Sequence, residues 1–193
     1  MSSGGTHLRD MTIDDCEAVA RVRVRGWQSA YAGMIPQAHL DAMSVEEDAA
    51  RRRAHLAEAE AEAAGTGAGA GRDVVAERDG QVIGWGCYGP YRDEGEPAAG
   101  AELYALYVLP EHRSTGAGRA LTAELLARAA TDGHPRMLLW VLTENTLARR
   151  FYEKAGFAPD GAETSSDVRG VAVPETRYAR RLSAADAAAV RRG

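Results

Sequence analysis

The segment from Ala101 to Gly118 constrains the fold of this chain more than any other part of its 193 residues. It begins as an apolar strand-like run, meets a proline at position 110, and continues into a glycine-containing start of a helix. Because proline cannot donate a ladder hydrogen bond, the strand should end before Pro110. From Gly116 onward, small and apolar residues recur every four positions, which is typical of a helix. A strand, a turn and a helix start together expose free backbone N–H groups and predict a phosphate-binding site.

Two well-known phosphate loops do not fit these residues. A P-loop requires a Lys-Ser or Lys-Thr pair, whereas the only lysine in the chain is Lys154. A dinucleotide fingerprint would need glycine or alanine where Leu121 stands. The run from Gly65 to Ala70 fits that fingerprint by spelling alone, but it follows a helical stretch and precedes a strand. That order is the reverse of the one required, so the run is predicted to be a flexible linker.

The pattern that does fit is R-x-x-G-x-G at Arg113, Gly116 and Gly118, directly after a strand. A second block, N-T-L-A-R-R-F-Y-E-K-A-G-F, runs from Asn145 to Phe157. The two blocks, in this order and separated by one helix and one strand, resemble the GNAT superfamily of acetyl-CoA-dependent N-acetyltransferases. The resemblance covers roughly residues 7 to 182.

The periodicity of the chain predicts one α/β domain. A capping-box-like pair, Thr12 and Asp15, opens the first helix, and Asp79-Gly80 lies between two strand-like runs, as in a hairpin. Strands are predicted at 7–9, 73–78, 81–88, 101–109, 137–142, 157–164 and 172–182, and helices at 12–31, 44–64, 116–133 and 146–155. This order matches a single GNAT domain over 1–182, with a central mixed, mostly antiparallel twisted sheet of about seven strands and about four helices. Residues 183–193 are predicted to be a flexible tail.

Composition narrows the function classes. The net charge of −5 gives no support to nucleic-acid binding, and the five histidines lack ligand spacing, so no metal is expected. No apolar stretch approaches the length of a membrane span, and the N-terminus lacks the apolar core of a signal peptide. A cytoplasmic enzyme without a membrane partner is therefore the expectation. Whether it forms a homodimer stays open.

The resemblance implies acetyl-CoA as co-substrate. In the family, the pantetheine arm lies between the fourth and fifth strands, which separate after a bulge in the fourth. The backbone of Tyr107 and Val108 would pair with that arm, and the N–H groups from Arg113 through Arg119 would hold the pyrophosphate. An ordinary solvated surface charge is the alternative for Arg113. The full set of implied co-substrate contacts is Tyr107, Val108, Arg113, Ser114, Thr115, Gly116, Ala117, Gly118, Arg119, Asn145 and Tyr152.

The resemblance also supplies catalytic candidates. Acetylation of an amine requires removal of a proton from the ammonium, stabilisation of an oxyanion, and protonation of the departing thiolate. Tyr152 matches the family tyrosine beside the CoA sulfur and is the candidate acid; packing against its own helix is the alternative. Glu102 matches a glutamate that serves some members as base, usually through water. A solvent-exposed strand end is its alternative.

Strand alternation places Glu102, Tyr104, Leu106 and Val108 on one face, so Tyr104 is the substitute base, and a water chain is a third option. In the family the segment after the first helix borders the acceptor pocket. Tyr31 is accordingly a substrate-binding candidate, although an aromatic residue on a helix face more often belongs to the core. Tyr88 and Tyr104 are further candidates for contact with the substrate.

The resulting hypothesis is an N-acetyltransferase that moves the acetyl group of acetyl-CoA to a primary amine of a small molecule by direct attack. Two alternatives stay open at this point. One is a protein or peptide acetyltransferase, and the other is a non-catalytic acyl-CoA-binding sensor.

Overall fold

The computed structural model describes residues 5–66, 72–92 and 100–189 of the chain. Seven strands and six helices alternate along these segments. The strands are β1 His7–Asp10, β2 Arg72–Arg78, β3 Gln81–Pro90, β4 Ala101–Val108, β5 Arg136–Leu142, β6 Ala158–Val168 and β7 Val171–Arg181. The helices are α1 Cys16–Ala30, α2 Gln37–Asp41, α3 Val45–Thr66, α4 Ala117–Thr131, α5 Thr146–Lys154 and α6 Ala184–Ala189.

The strands form one mixed sheet in the order β1-β2-β3-β4-β5-β7-β6. Every neighbouring pair is antiparallel except β4 and β5, which are parallel. The prediction of a mostly antiparallel seven-stranded α/β domain is confirmed. The hairpin at Asp79-Gly80 is also confirmed, since both residues have the positive φ that such a turn requires.

The helices differ from the prediction in number, and their ends are shifted by one to a few residues. The described residues contain six helices instead of about four, because α2 and α6 are short and carry little periodic signal. Within the predicted tail, Ala184–Ala189 form the short helix α6. Ser183 and Arg180 both bond to Asp186 and hold this helix in place. The predicted linker also begins later than expected, since α3 continues through Thr66; residues 67–71 and 190–193 lie outside the described part of the chain.

Two hydrophobic layers cover the two faces of the sheet. The larger layer lies between the sheet and α4 and includes Leu121 and Leu125, both fully buried. The smaller layer lies on the opposite face, where α1 contributes Val19 and Val22. The strands β3 and β4, at the centre of the sheet, are therefore enclosed between α1 and α4. Within the described residues, no helix is long and apolar enough to cross a membrane.

Candidate active site

A bulge in β4 determines which side chains reach each face of the sheet. Cys87 pairs with Ala105 and Tyr88 with Leu103, which leaves Tyr104 as the extra residue of β4. Beyond it, Leu106 and Val108 pack against the α4 layer, whereas Tyr104 and Tyr107 pack against the α1 layer. The expectation that Glu102, Tyr104, Leu106 and Val108 share one face is therefore wrong, because one inserted residue reverses the alternation that follows it.

The same strand separates from β5 almost at once. β4 and β5 pair only at Ala101 with Met137 and at Glu102 with Leu138. Beyond these pairs, β5 continues its ladder with β7, and β4 continues its ladder with β3. Among the described strands, none fills the space beside β4 from residue 103 to residue 108. The backbone of Tyr107 and Val108 therefore lies along an open gap, where an extended ligand chain could take the place of a strand.

A loop rich in backbone donors lies at the end of this gap. Gly116 precedes α4 with a φ of +94°, and Ser114 also has a positive φ, so both backbones bend away from extended geometry. The first bond of the helix runs from the Ala120 N–H to the Gly116 carbonyl. Within the described residues, the N–H groups of 114–119 meet no acceptor, and helix geometry directs those of 117–119 out of the helix start.

The loop departs from the prediction at Arg113. Its backbone N–H donates to the carbonyl of Pro110, so the free donors begin at Ser114 instead. The guanidinium of Arg113 donates to the Ser29 hydroxyl at 2.9 Å and ties the loop to the end of α1. The side chain of Thr115 also bonds within the loop, because its hydroxyl donates to the carbonyl of His112. These bonds hold the loop in place, and the backbone N–H groups of 114–119 stay available to a ligand.

Three partly buried tyrosines, Tyr31, Tyr107 and Tyr152, lie at the end of α1, on β4 and on α5. The hydroxyls of Tyr31 and Tyr107 lie 3.3 Å apart. Tyr152, on α5, contacts the rings of Phe151 and Phe157 edge to face. Burial raises the pKa of Tyr31, Tyr107 and Tyr152 above the ordinary value of a phenol; repulsion from neighbouring tyrosines adds to this at Tyr107 and Tyr152, whereas the hydrogen bond to Tyr107 partly offsets it at Tyr31. All three hydroxyls accordingly keep their protons at neutral pH and act as donors.

Glu102 is buried, with an exposed fraction of 3%, and does not lie at an exposed strand end. Arg92 covers it: Nη2 lies 2.6 Å from Oε1, and both Nε and the backbone N–H of Arg92 lie 3.3 Å from Oε2. The guanidinium also stacks on the ring of Tyr104 at 4.1 Å. The Tyr104 hydroxyl donates to the carbonyl of Pro90. Burial raises the pKa of Tyr104, so this phenol is a poor substitute base.

Arg92 was missed by the sequence analysis. It lies directly after β3, in a stretch whose composition indicates only a charged loop, and no local signal pairs it with Glu102 ten residues later. Arg177 was missed as well; it bonds to Asp160 and Tyr91 and lies over the ring of Trp140. The alternation of Leu138, Trp140 and Leu142 along β5 could have placed Trp140 on the face that α1 covers.

Two predicted site residues have other placements. Tyr88 is buried in the layer beneath α4, with an exposed fraction of 1%, and its hydroxyl donates to Asp132 at 2.6 Å. The structure does not bring Tyr88 to the gap, because the alternation of β3 places Tyr88, like Gly84 and Gly86, on the side that faces α4. Asn145 precedes α5, and its side-chain carbonyl accepts the N–H of Ala148 at 3.0 Å. Its observed role is to cap that helix.

Comparisons with known proteins agree with this geometry. The family described as acetyltransferase (GNAT) matches residues 27–157, more than half of the chain. The uncharacterized N-acetyltransferase YuaI of Bacillus subtilis is 29% identical over 87% of this chain and 88% of its own. A mycothiol acetyltransferase of Cellulomonas flavigena is 39% identical over 44% of this chain, which covers only 26% of that relative. The structure of yncA from Salmonella typhimurium with acetyl-CoA superimposes with a TM-score of 0.70 at 20% identity, over 93% of this chain and 95% of that one.

A split sheet with free donors at its open end is the architecture of an acyl-CoA-dependent transferase, and the family match agrees with it. The chain belongs to the acetyltransferase (GNAT) family. It is an acetyl-CoA-dependent acyltransferase.

Proposed function

We propose that this protein transfers the acetyl group of acetyl-CoA to a primary amine of a small molecule, by direct attack of the amine on the thioester. The observation that carries the proposal is the alignment of the gap and the loop. The gap between β4 and β5 opens beyond Glu102 and runs toward the free N–H groups at 114–119. An extended ligand with an acyl group at one end and phosphates at the other matches that arrangement.

The loop suits the pyrophosphate of the co-substrate. The N–H groups before the first turn of α4 add to the positive end of the helix dipole, and both favour an anion. Arg113 lies at the same loop and adds a full positive charge. The backbone of Tyr107 and Val108 offers ladder partners to the amide groups of the pantetheine arm.

Tyr152 is the proposed acid toward the CoA thiolate. Its raised pKa keeps the phenol protonated at neutral pH, which a donor of a proton requires. α5 lies beside the phosphate loop, because the ring of Phe151 would lie 3.6 Å from a methyl group placed on Gly118. We therefore propose that α5 holds Tyr152 near the loop with the free N–H groups. A proton donor to the departing sulfur is required at that end of the gap.

Glu102 is the proposed base, acting on the ammonium through water. Its position at the last residue pair before the gap places a negative charge where the strands begin to separate. Arg92 forms an ion pair with Glu102 at that point, with Nη2 2.6 Å from Oε1. Tyr104 is the weaker choice because its phenol is held protonated.

The proposed acceptor is a small molecule. Aromatic side chains line the face of the sheet that α1 covers, including Tyr31, Tyr107 and Trp140, and such walls suit a compact organic amine. The name of the mycothiol acetyltransferases is in keeping with a small acceptor. We further propose a cytoplasmic location, the ordinary compartment of acetyl-CoA metabolism.

One assay tests the proposal. The purified protein is incubated with acetyl-CoA and a panel of small primary amines, amino acids and lysine-containing peptides, and the release of free thiol is followed. Amine-dependent release with a small molecule is the expected result. Release with peptides alone would favour protein acetylation. Tight binding of acetyl-CoA without transfer to any amine would favour the sensor instead.

A further inference from the structure

We infer that a cleft bounded by α1, α3 and the turn between β6 and β7 binds a carboxylate of the acceptor. The amine that this protein acetylates accordingly carries an acidic group at some distance from its nitrogen. The inference rests on the proposed function and narrows its substrate class. Three arginines from three separate elements carry it: Arg23 of α1, Arg51 of α3 and Arg169 of the turn.

The turn between β6 and β7 brings Arg169 to the cleft. Val168 pairs with Val171, which leaves Arg169 and Gly170 as the two residues of the turn. Both have the positive φ that a two-residue hairpin turn of type I′ requires. Arg169 lines the cleft and makes no hydrogen bond or ion pair within the described residues, so its guanidinium is available to a ligand.

A buried carboxylate holds the other arginines in place. Asp48, with an exposed fraction of 6%, accepts from Nη1 of Arg23 at 2.6 Å and from Arg51 and Arg52 at 3.4 Å each. Within the described residues, Nη1 is the only donor of Arg23 with a partner, so its other N–H groups remain for a ligand. Glu47, the second carboxylate of the cleft, lies 3.9 Å from Arg51. Three guanidinium groups against two carboxylates leave the cleft positive in a chain whose net charge is −5.

The cleft suits a carboxylate in size and in chemistry. Its volume is about 210 Å³, whereas a water molecule occupies about 30 Å³ of the liquid, so the cleft accommodates a compact group. A guanidinium presents its N–H donors in one plane, and two of them match the two oxygens of a carboxylate. Arginines from three elements can therefore meet one carboxylate from several sides.

One side of α1 leads from the cleft to the gap. Arg23, Trp27 and Tyr31 follow one another at intervals of four residues and so lie on the same side of the helix. Cζ of Arg23 lies 5.1 Å from the centre of the Trp27 ring, and that centre lies 4.9 Å from the centre of the Tyr31 ring. The Tyr31 hydroxyl lies 3.3 Å from that of Tyr107, which borders the gap. An acceptor with its amine at the gap and a carboxylate several bonds away can therefore reach Arg23.

Matched pairs of substrates test the carboxylate. Acetylation of γ-aminobutyrate and of ε-aminocaproate is compared with acetylation of their carboxamides, which keep the amine and the chain but lack the negative charge. The KM of each carboxylate should be lower than that of its carboxamide by roughly tenfold, as expected for hydrogen bonds to a charged group. The difference should be larger for ε-aminocaproate, because its carboxylate lies farther from the amine.

Three arginine variants locate the carboxylate. Arg169→Gln should raise the KM of the carboxylates roughly tenfold and leave the KM of the carboxamides as it is, and the fold does not depend on this exposed side chain. Arg23→Gln should act in the same direction, with urea unfolding measured beside it, because it also removes a partner of Asp48. Arg21→Gln is the matched control, since Arg21 is an exposed arginine of the same helix that bonds to Glu17 and does not line the cleft. It should change neither KM.

The outcomes separate the carboxylate site from the proposed function. Acetylation of small amines but of neither carboxylate, equal KM values within both pairs, or a preference for the carboxylates that survives Arg169→Gln would overturn the site while the transferase stands. A preference that Arg21→Gln weakens as much as Arg169→Gln would also overturn it, because attraction by the overall field of the protein would then be the cause. A protein that binds acetyl-CoA but acetylates no small amine would overturn the proposed function and the carboxylate site with it.

Discussion

At the residue scale, Glu102 and Arg92 form an ion pair whose carboxylate is buried, and the proposed acceptor chemistry depends on it. Glu102 has an exposed fraction of 3%, and three donors of Arg92 meet its carboxylate. Arg92 itself is mostly exposed, so the pair joins the interior of the sheet to the surface. The charge of Glu102 and access to it are therefore controlled by the same side chain.

Glu102→Gln should reduce turnover most at neutral pH. Amines with a pKa near 10.4 are almost wholly protonated there, so a base contributes roughly 10²–10⁴-fold, and this advantage shrinks near pH 10 where free amine is abundant. The check is a pH–rate profile of both proteins from pH 6 to 10. A profile unchanged in shape and height would remove Glu102 from the mechanism and leave the water chain as the base.

Gly116→Ala should weaken acetyl-CoA binding more than Gly118→Ala. Gly116 has a φ of +94°, a conformation that costs a residue with a Cβ about 1–2 kcal/mol, and relaxing it moves the donor loop. A methyl group on Gly118 would meet Phe151 at 3.6 Å, an ordinary contact. Calorimetric titration of both variants with acetyl-CoA is the measurement. Equal affinities would show that the loop conformation does not determine binding.

At the scale of elements, the bulge in β4 explains which parts of the site could be predicted. The resemblance supplied the bulge and the separation of β4 from β5, and both are present. Strict alternation through Tyr104, in contrast, placed Leu106 and Val108 on the wrong face, because a residue pattern does not show where an extra residue enters a strand. The residues around Tyr88 do not show which face of β3 the α4 layer covers, so its place in the core was not predicted, and a long-range pair such as Arg92–Glu102 leaves no local trace.

Tyr88→Phe tests this correction. The hydroxyl joins β3 to Asp132 at the end of α4, so its loss should lower the free energy of unfolding by about 1–2 kcal/mol. Steady-state KM values for acetyl-CoA and amine should not change, since the side chain lies beneath α4. A raised KM for the amine with unchanged stability would return Tyr88 to the acceptor site.

For the whole molecule, two sets of groups limit the pH range of stability. Arg9 lowers the pKa of Asp15 by a direct hydrogen bond, so this pair stabilises the fold above the unfolded pKa of aspartate and the contribution is lost as pH falls. Tyr31 and Tyr107 have raised pKa values, so their contribution is complete below the ordinary phenol pKa near 10. It is lost as pH rises further, because the unfolded chain releases those protons first.

Urea unfolding between pH 3 and 11 should therefore give a plateau with a fall at each end. Asp15→Asn should flatten the acid fall, and Tyr107→Phe should flatten the alkaline fall. Each proton involved changes the free energy of unfolding by at most about 1.4 kcal/mol per pH unit. If Tyr107→Phe left the alkaline slope unaltered, the buried phenols would not be the source of that fall.

The seam between β4 and β5 has a consequence for how the molecule responds to its co-substrate. Only two residue pairs of the ladder join the strands before it to the strands beyond it within the described sheet, so few backbone hydrogen bonds cross the seam. A ligand chain bound along the seam would take up backbone hydrogen bonds that no strand makes there. It would thereby couple the part of the sheet before the seam to the part beyond it. We expect the backbone amides of 103–108 to exchange with deuterium far more slowly when acetyl-CoA is bound. Saturation at a hundred times the dissociation constant would add about 2.7 kcal/mol to the resistance to unfolding.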